Sequence, residues 1–148
     1  AWGIYGFMLS YLYTGDKTMI VLSKRLANYF LNRLPEDYVC HWDLALLGTD
    51  ALRDSSSAAI AVCGLLELVK QLPVTDPDRE RYLDWAKGIM SSLTKHYLMG
   101  KDEKGNGLLK HAVYHLASNK GVDECASWGD YFYVEALVRF TQSWKPYW

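Results

Sequence analysis

The sequence predicts an all-α fold of helical hairpins arranged in two layers, on three observations. Apolar residues recur at three- and four-residue spacing through five segments separated by turn signals. The segments alternate in character: the first, third and fifth are apolar nearly all round, whereas the second and fourth pair an apolar stripe with a charged face, and a helix apolar on all sides is buried on all sides. The first and last open on one pattern, Trp2-Gly3-Ile4-Tyr5 and Trp128-Gly129-Asp130-Tyr131, a weak internal echo. Hairpins repeated with an inner and an outer member point to an α/α toroid or solenoid. At an open end of such an array, all-apolar helices would expose a large sticky surface, so the chain is expected to be part of a larger barrel.

The first helix is expected over Ala1 to Tyr13, closed by the turn at Thr14 and Gly15. Asp16 is placed to cap a second, Lys17 to Arg33, whose Ile20, Leu22, Leu26, Tyr29 and Phe30 form the stripe, with Lys17, Lys24, Arg25 and Asn32 opposite. Pro35 ends it, and Glu36 to Arg53 reads as a long irregular connection carrying His41, Trp42 and Asp43. The third helix starts at Asp54 and runs to Gln71; its front half of serines and alanines permits close backbone approach. Asp76 as N-cap and Pro77 at the first helical position open the fourth, which runs to about Leu98 with Tyr82, Trp85, Ile89, Leu93 and Tyr97 on one side. Lys101 to Gly107 is a charged turn. The fifth helix begins with Ser127 as N-cap and Asp130 in its first turn, and continues through Tyr131, Val134, Leu137 and Val138.

With 148 residues the chain fits a single domain, and a formal net charge of −1 gives no reason to expect nucleic acid or an anionic membrane as partner. Charged residues interrupt every apolar run before it reaches membrane-spanning length. Three cysteines, Cys40, Cys63 and Cys125, lack metal-ligand spacing, and Cys63 lies among alanines and leucines as a buried thiol would, which points to a reducing, cytoplasmic compartment. The chain opens at Ala1 within an aromatic helix and without Met, so its natural N-terminus is expected elsewhere.

Chemistry concentrates between the last two helices. Lys110, His111, Tyr114, His115, Ser118 and Lys120 stand within a few residues of one another, donors and cations suited to an anionic, hydroxyl-rich ligand. His111 and His115 have i, i+4 spacing, but a third ligand is not evident near them or His41, and no metal is expected. Arg53 and Asp54 read as a loop anchor and a helix cap.

Arg53 to Leu68 (RDSSSAAIAVCGLLEL), Gly107 to His115 (GLLKHAVYH) and Gly121 to Phe140 (GVDECASWGDYFYVEALVRF) resemble, in the same order, segments of the unsaturated glucuronyl hydrolases, glycoside hydrolase family 88. AWGIYGF at the start is similar to an internal segment of the family. The resemblance implies an (α/α)6 barrel of six helical hairpins, of which residues 1–148 would supply about the last five helices of a single catalytic domain, its N-terminal part being absent. It further implies hydration of the C4=C5 double bond of an unsaturated uronic acid at the non-reducing end of lyase-generated oligosaccharides of glycosaminoglycan type. An aspartate would protonate C4, water would add at C5 and the hemiketal would open, with no cofactor; this differs from displacement at the anomeric carbon by a carboxylate pair. Arg53-Asp54-Ser55-Ser56 is nearer this branch than the related unsaturated rhamnogalacturonyl hydrolases, which remain the alternative beside a non-catalytic carbohydrate-binding or interaction fragment.

The family's catalytic aspartates precede the segment that matches Ala1 onwards, so no catalytic residue is assigned here; Asp43, Asp54 and Asp130 sit in motifs with other places. The resemblance assigns Trp2 to the cleft wall, where an indole stacks on the apolar face of a sugar. Tyr114 and His115 match loop positions facing the bound sugar. Ser118 and Lys120 complete a His-x-x-Ser-x-Lys run that in some members recognises a sulfate. The expected partners are the unsaturated oligosaccharide and the remainder of the barrel.

Overall fold

The computed structural model describes residues 1–46 and 51–146. Five helices, α1 (Trp2–Thr14), α2 (Thr18–Leu31), α3 (Ser55–Gln71), α4 (Pro77–Ser92) and α5 (Ser127–Thr141), carry the fold, and a two-stranded antiparallel hairpin, β1 (Ala112–His115) and β2 (Lys120–Glu124), stands between α4 and α5. α3 lies between α1 and α5, while α2 packs on α1 and α4 on α3. As the alternation predicts, α1, α3 and α5 form one layer with α2 and α4 packed on it, but only α3 is buried nearly throughout: much of α1 and Tyr131, Val134, Leu137 and Phe140 of α5 are exposed. The hairpin is the addition, standing where only a polar loop was expected.

Small residues hold the inner layer together. Ala58, Ala59, Ala61, Val62 and Cys63 of α3 are fully buried, and α1 and α5 close over that face. Gly64 marks the nearest approach: a Cβ added there would sit 2.8 Å from Ile4 Cγ2 and 2.9 Å from the Tyr5 backbone nitrogen. Side chains of α1 and α5 then meet directly, Tyr5 and Phe132 edge to face with centroids 5.9 Å apart. At the C-terminal ends of α3 and α5, Arg139 donates to Glu67 and Glu135 at 2.8 Å each and to Tyr5 Oη at 2.7 Å, with Tyr5 in turn 2.6 Å from Glu135. This charged cluster is buried, with the one guanidinium shared between two carboxylates, and such pairing is how buried ions are tolerated. Burial, reinforced by the bond to Glu135, pushes the Tyr5 hydroxyl well above its ordinary pKa.

Turn chemistry sets the ends. α1 closes on Gly15 at φ 69°, whose amide reaches Tyr11 O at 2.8 Å. The cap position of α2 is Lys17 and not Asp16, although Asp16, one residue earlier, accepts from the Thr18 amide at 2.9 Å; Asp76 caps α4 through the Asp78 amide at 2.9 Å. Lys24 spans 3.1 Å to Asp76 and 2.8 Å to Asp78, tying the two outer helices together.

Several expectations are corrected. Of the stripe expected on α2, Phe30 is buried and Ile20 packs on the core, but Leu22, Leu26 and Tyr29 are exposed and Ser23, Ala27 and Leu31 are buried instead, because small residues let α2 approach α1; Ser23 Oγ donates to Ile4 O at 2.8 Å. α1 is buried only at Ile4, Tyr5 and Met8, since α2 and α3 cover one side of it, and Trp2 and Tyr13 face outward. α4 ends at Ser92 and continues as a π-turn, Leu93–Tyr97, in which Thr94 Oγ1 bonds Met90 O at 2.8 Å and competes for the helical ladder. The cap of α5 is Ala126, not Ser127, and it brings no side-chain bond; Asp130 instead accepts from the Leu109 amide at 2.9 Å. The connection Glu36–Arg53 is closed at its base by a bridge between His41 and Arg53, with Asp54 N donating to Cys40 O at 2.9 Å, and residues 47–50 of it lie outside the described residues. No described helix is long and apolar enough to cross a membrane.

Candidate functional site

The candidate site lies at the N-terminal ends of α3 and α5, beneath the hairpin. Asp54 builds its floor. Its carboxylate accepts from Ser56 N at 3.1 Å, Ser56 Oγ at 2.7 Å and Ser57 Oγ at 2.5 Å, the cap expected of it. The Ser56 hydroxyl, oriented by Asp54, accepts from Trp128 Nε1 at 3.1 Å and fixes the indole at the start of α5. Gly129, next along, lets this happen: an added Cβ would meet Ser56 Cβ at 3.0 Å.

Trp128 and Phe132 stand one turn apart on α5 and so share a face. Tyr114 of the hairpin lies against Trp128 with centroids 5.6 Å apart, and Trp2 meets Phe132 edge-on at 5.2 Å. Trp2 is 59% exposed and Tyr114 67% exposed, so the two ends of this aromatic row are open while Trp128 and Phe132 support them. An open aromatic row suits the apolar faces of sugar rings, with hydroxyls reaching neighbouring polar groups.

Those polar groups stand at the hairpin tip. His115 Nδ1 is 2.7 Å from Ser118 Oγ and accepts from the Ser118 amide at 3.2 Å, closing the single 3₁₀ turn Leu116–Ser118; Asn119 at φ 51° then reverses the chain. Lys120 opens β2 directly opposite His115. Tyr114, His115, Ser118 and Lys120 are therefore brought to one exposed tip, and Trp2 to the other end of the aromatic row.

Two members of the anticipated donor set turn elsewhere. Lys110 pairs with Glu103 at 2.8 Å, and His111 Nδ1 lies 2.6 Å from Asp123 Oδ1. His111 and His115 belong to a strand region, not to a helix, so their spacing does not place them one turn apart. Among the described residues no group of three or more His, Cys, Asp or Glu is placed to hold a metal ion. Cys40 and Cys63 are free and buried, and burial raises both thiols well above their ordinary pKa.

No family model matches the chain. Individual proteins do. The chain is 49% identical over its whole length to the unsaturated chondroitin disaccharide hydrolase of Streptococcus agalactiae serotype III (strain NEM316), and 40% identical to the unsaturated glucuronyl hydrolase of Bacillus sp. (strain GL1). Over its whole length the chain is similar to part of the unsaturated glucuronyl hydrolases. The crystal structure of the S. agalactiae unsaturated glucuronyl hydrolase superposes on 99% of the chain with a TM-score of 0.94, and a mutant of that enzyme has been crystallised with dGlcA-GalNAc6S. The chain spans 37–40% of the length of these two curated relatives, and its five helices match part of the helical barrel of the family.

Spacing and motif do not single out Phe132 or the supporting position of Trp128. A signal was present for one of them: Trp128 lies in the Trp-Gly-x-Tyr echo of Trp2, and the two indoles do occupy the first turns of two inner helices. Phe132 carried none, since an aromatic four residues into an apolar helix is ordinary core.

Proposed function

We propose that the complete protein to which this chain belongs is an unsaturated glucuronyl hydrolase acting on lyase-generated glycosaminoglycan disaccharides, and that residues 1–148 contribute one wall of its sugar site as part of a single barrel domain. The observation that carries this reading is the open aromatic row Trp2, Phe132, Trp128 and Tyr114 ending at a hairpin tip with His115, Ser118 and Lys120. It occurs in a chain 49% identical to an enzyme whose mutant binds dGlcA-GalNAc6S.

In this reading Trp2 and Tyr114 stack on the sugar rings, His115 and the Ser118 hydroxyl supply hydrogen bonds, and the Lys120 ammonium attracts a sulfate oxygen. The row orients the unsaturated ring so that C4 faces a proton donor; the aspartate that protonates C4 and directs water to C5 comes from the rest of the family's barrel, as the resemblance implies. The chain's own part is binding and orientation, and it requires no cofactor. The free, buried cysteines agree with a reducing, cytoplasmic setting.

The test is ultraviolet loss of the conjugated C4=C5 chromophore when the complete protein meets unsaturated chondroitin disaccharides. Disappearance of the band with release of the partner sugar is expected. Loss only with pectin-derived unsaturated disaccharides would move the protein to the rhamnogalacturonyl branch. Binding without loss would leave a carbohydrate-binding module.

A further inference from the structure

We propose that His111 and Asp123 form a positioning pair that holds the hairpin tip against the substrate, and so set its affinity without taking part in its chemistry. The inference rests on the assignment of the tip to the sugar made above.

Both residues adopt the left-handed region, His111 at φ 65° and Asp123 at φ 59°, which few side chains other than Asn, Asp and His tolerate. Their side chains meet across the base of the hairpin, His111 Nδ1 to Asp123 Oδ1 at 2.6 Å. The β ladder is irregular at this point: Ala112 pairs with Glu124 and Val113 with Val122, so Asp123 bulges out of the ladder and is held through its side chain. Two short strands alone are marginal in water, and the orientation of their tip depends on how the base is fastened.

The scaffold side of the pair is rigid. His111 O accepts from Ser55 N at 3.1 Å at the start of α3, and Lys110 N donates to Tyr97 O at 2.8 Å. The Tyr97 ring stands edge-on to the His111 imidazole at 5.8 Å, and its hydroxyl donates to Asp37 at 2.7 Å, which Arg53 also holds at 3.1 Å. His111 thus fastens the start of the hairpin to the helical layers, which Tyr114 touches again through Trp128, and Asp123 is where the returning strand is clipped to His111. Tyr114, His115, Ser118 and Lys120 all lie beyond the clip. The pair is half-exposed, and half-exposed pairs contribute little to global stability. Its effect falls on the orientation of a marginal hairpin, not on the fold.

Three variants of the complete protein separate this from a plain structural role. His111→Ala removes the donor, His111→Asn keeps both a donor near the Nδ1 position and tolerance of positive φ, and Asp123→Gly relieves the backbone while removing the acceptor. With unsaturated chondroitin 6-sulfate disaccharide, His111→Ala and Asp123→Gly are expected to raise KM about three- to fivefold with kcat within about twofold of the parent. The melting temperature of Asp123→Gly stays at the parent value, that of His111→Ala falls slightly because alanine is strained at φ 65°, and His111→Asn restores KM. The same two variants speed amide exchange over residues 112–124 by at least about threefold while α3 and α5 are unchanged. Unaltered KM and unaltered exchange in Asp123→Gly would overturn the proposal, as would a loss of kcat or of melting temperature that accounts for the change. If the parent hydrates no unsaturated uronide, the functional reading fails, and hairpin exchange alone decides the positioning role.

Discussion

Glu67 on α3 and Arg139 on α5 meet at 2.8 Å with side chains 0% and 3% exposed, so the two inner helices are joined at their C-terminal ends by a buried ion pair. Removing one partner leaves the other charge buried and alone. Arg139→Ala is therefore expected to lower unfolding stability by about 3–5 kcal/mol, read from the denaturant midpoint of the complete protein. Glu67→Gln, which keeps an acceptor for Arg139, costs less. Equal losses for the two variants would show that packing, not charge, decides.

Gly64 faces the α1 backbone with no room for a methyl group. Gly64→Ala removes a helix-weakening glycine, worth about 1 kcal/mol in an open helix, but here forces α1 and α3 apart. Destabilisation by about 1–3 kcal/mol is expected, and a rise in melting temperature would refute the close approach.

Asp37 makes a prediction about acid. Burial pushes its carboxyl up, but the bonds from Tyr97 and Arg53 outweigh burial and hold its pKa below the ordinary value. A carboxylate depressed in the folded state contributes stability that is fully present above its unfolded pKa of about 3.9 and is lost as pH falls through the folded value. The Arg53 and Tyr97 ties should therefore be whole at pH 6 and weaken below about pH 4. Urea midpoints at pH 6 and pH 3 measure this: Asp37→Asn should show the smaller drop. An unchanged drop would exclude the network.

Lys120 stands exposed at the tip, opposite His115. Lys120→Ala should cut kcat/KM for a 6-sulfated unsaturated disaccharide about tenfold and leave the unsulfated one nearly unchanged, as expected for a charge-assisted hydrogen bond of about 1.5 kcal/mol. Selectivity unaltered by the substitution would remove the sulfate contact.

Much of the architecture was legible along the chain. The five helices, the order of the two layers, and the caps at Asp54 and Asp76 all follow from residues a few positions apart, and the structure agrees with them. The stripe on α2 misled because bulky apolar residues dominate a periodic pattern, whereas Ser23 and Ala27 were chosen by the nearness of α1. The hairpin was illegible because β1 and β2 are short and largely exposed at their paired tip, so no apolar alternation marks them.

The sequence by itself therefore determined the all-α class, the two-layer order and the family resemblance, since helical period, capping and motif order are local properties of the chain. Tertiary structure alone decided which polar groups stand together at the hairpin tip. Lys110 and His111 resemble their neighbours Tyr114 and His115 in a one-dimensional list, yet Glu103 and Asp123 draw them away, and only Tyr114, His115, Ser118 and Lys120 remain at the tip. The physical reason is that electrostatic and hydrogen-bond partners act over a few ångströms of space, and the fold alone sets which residues come that close.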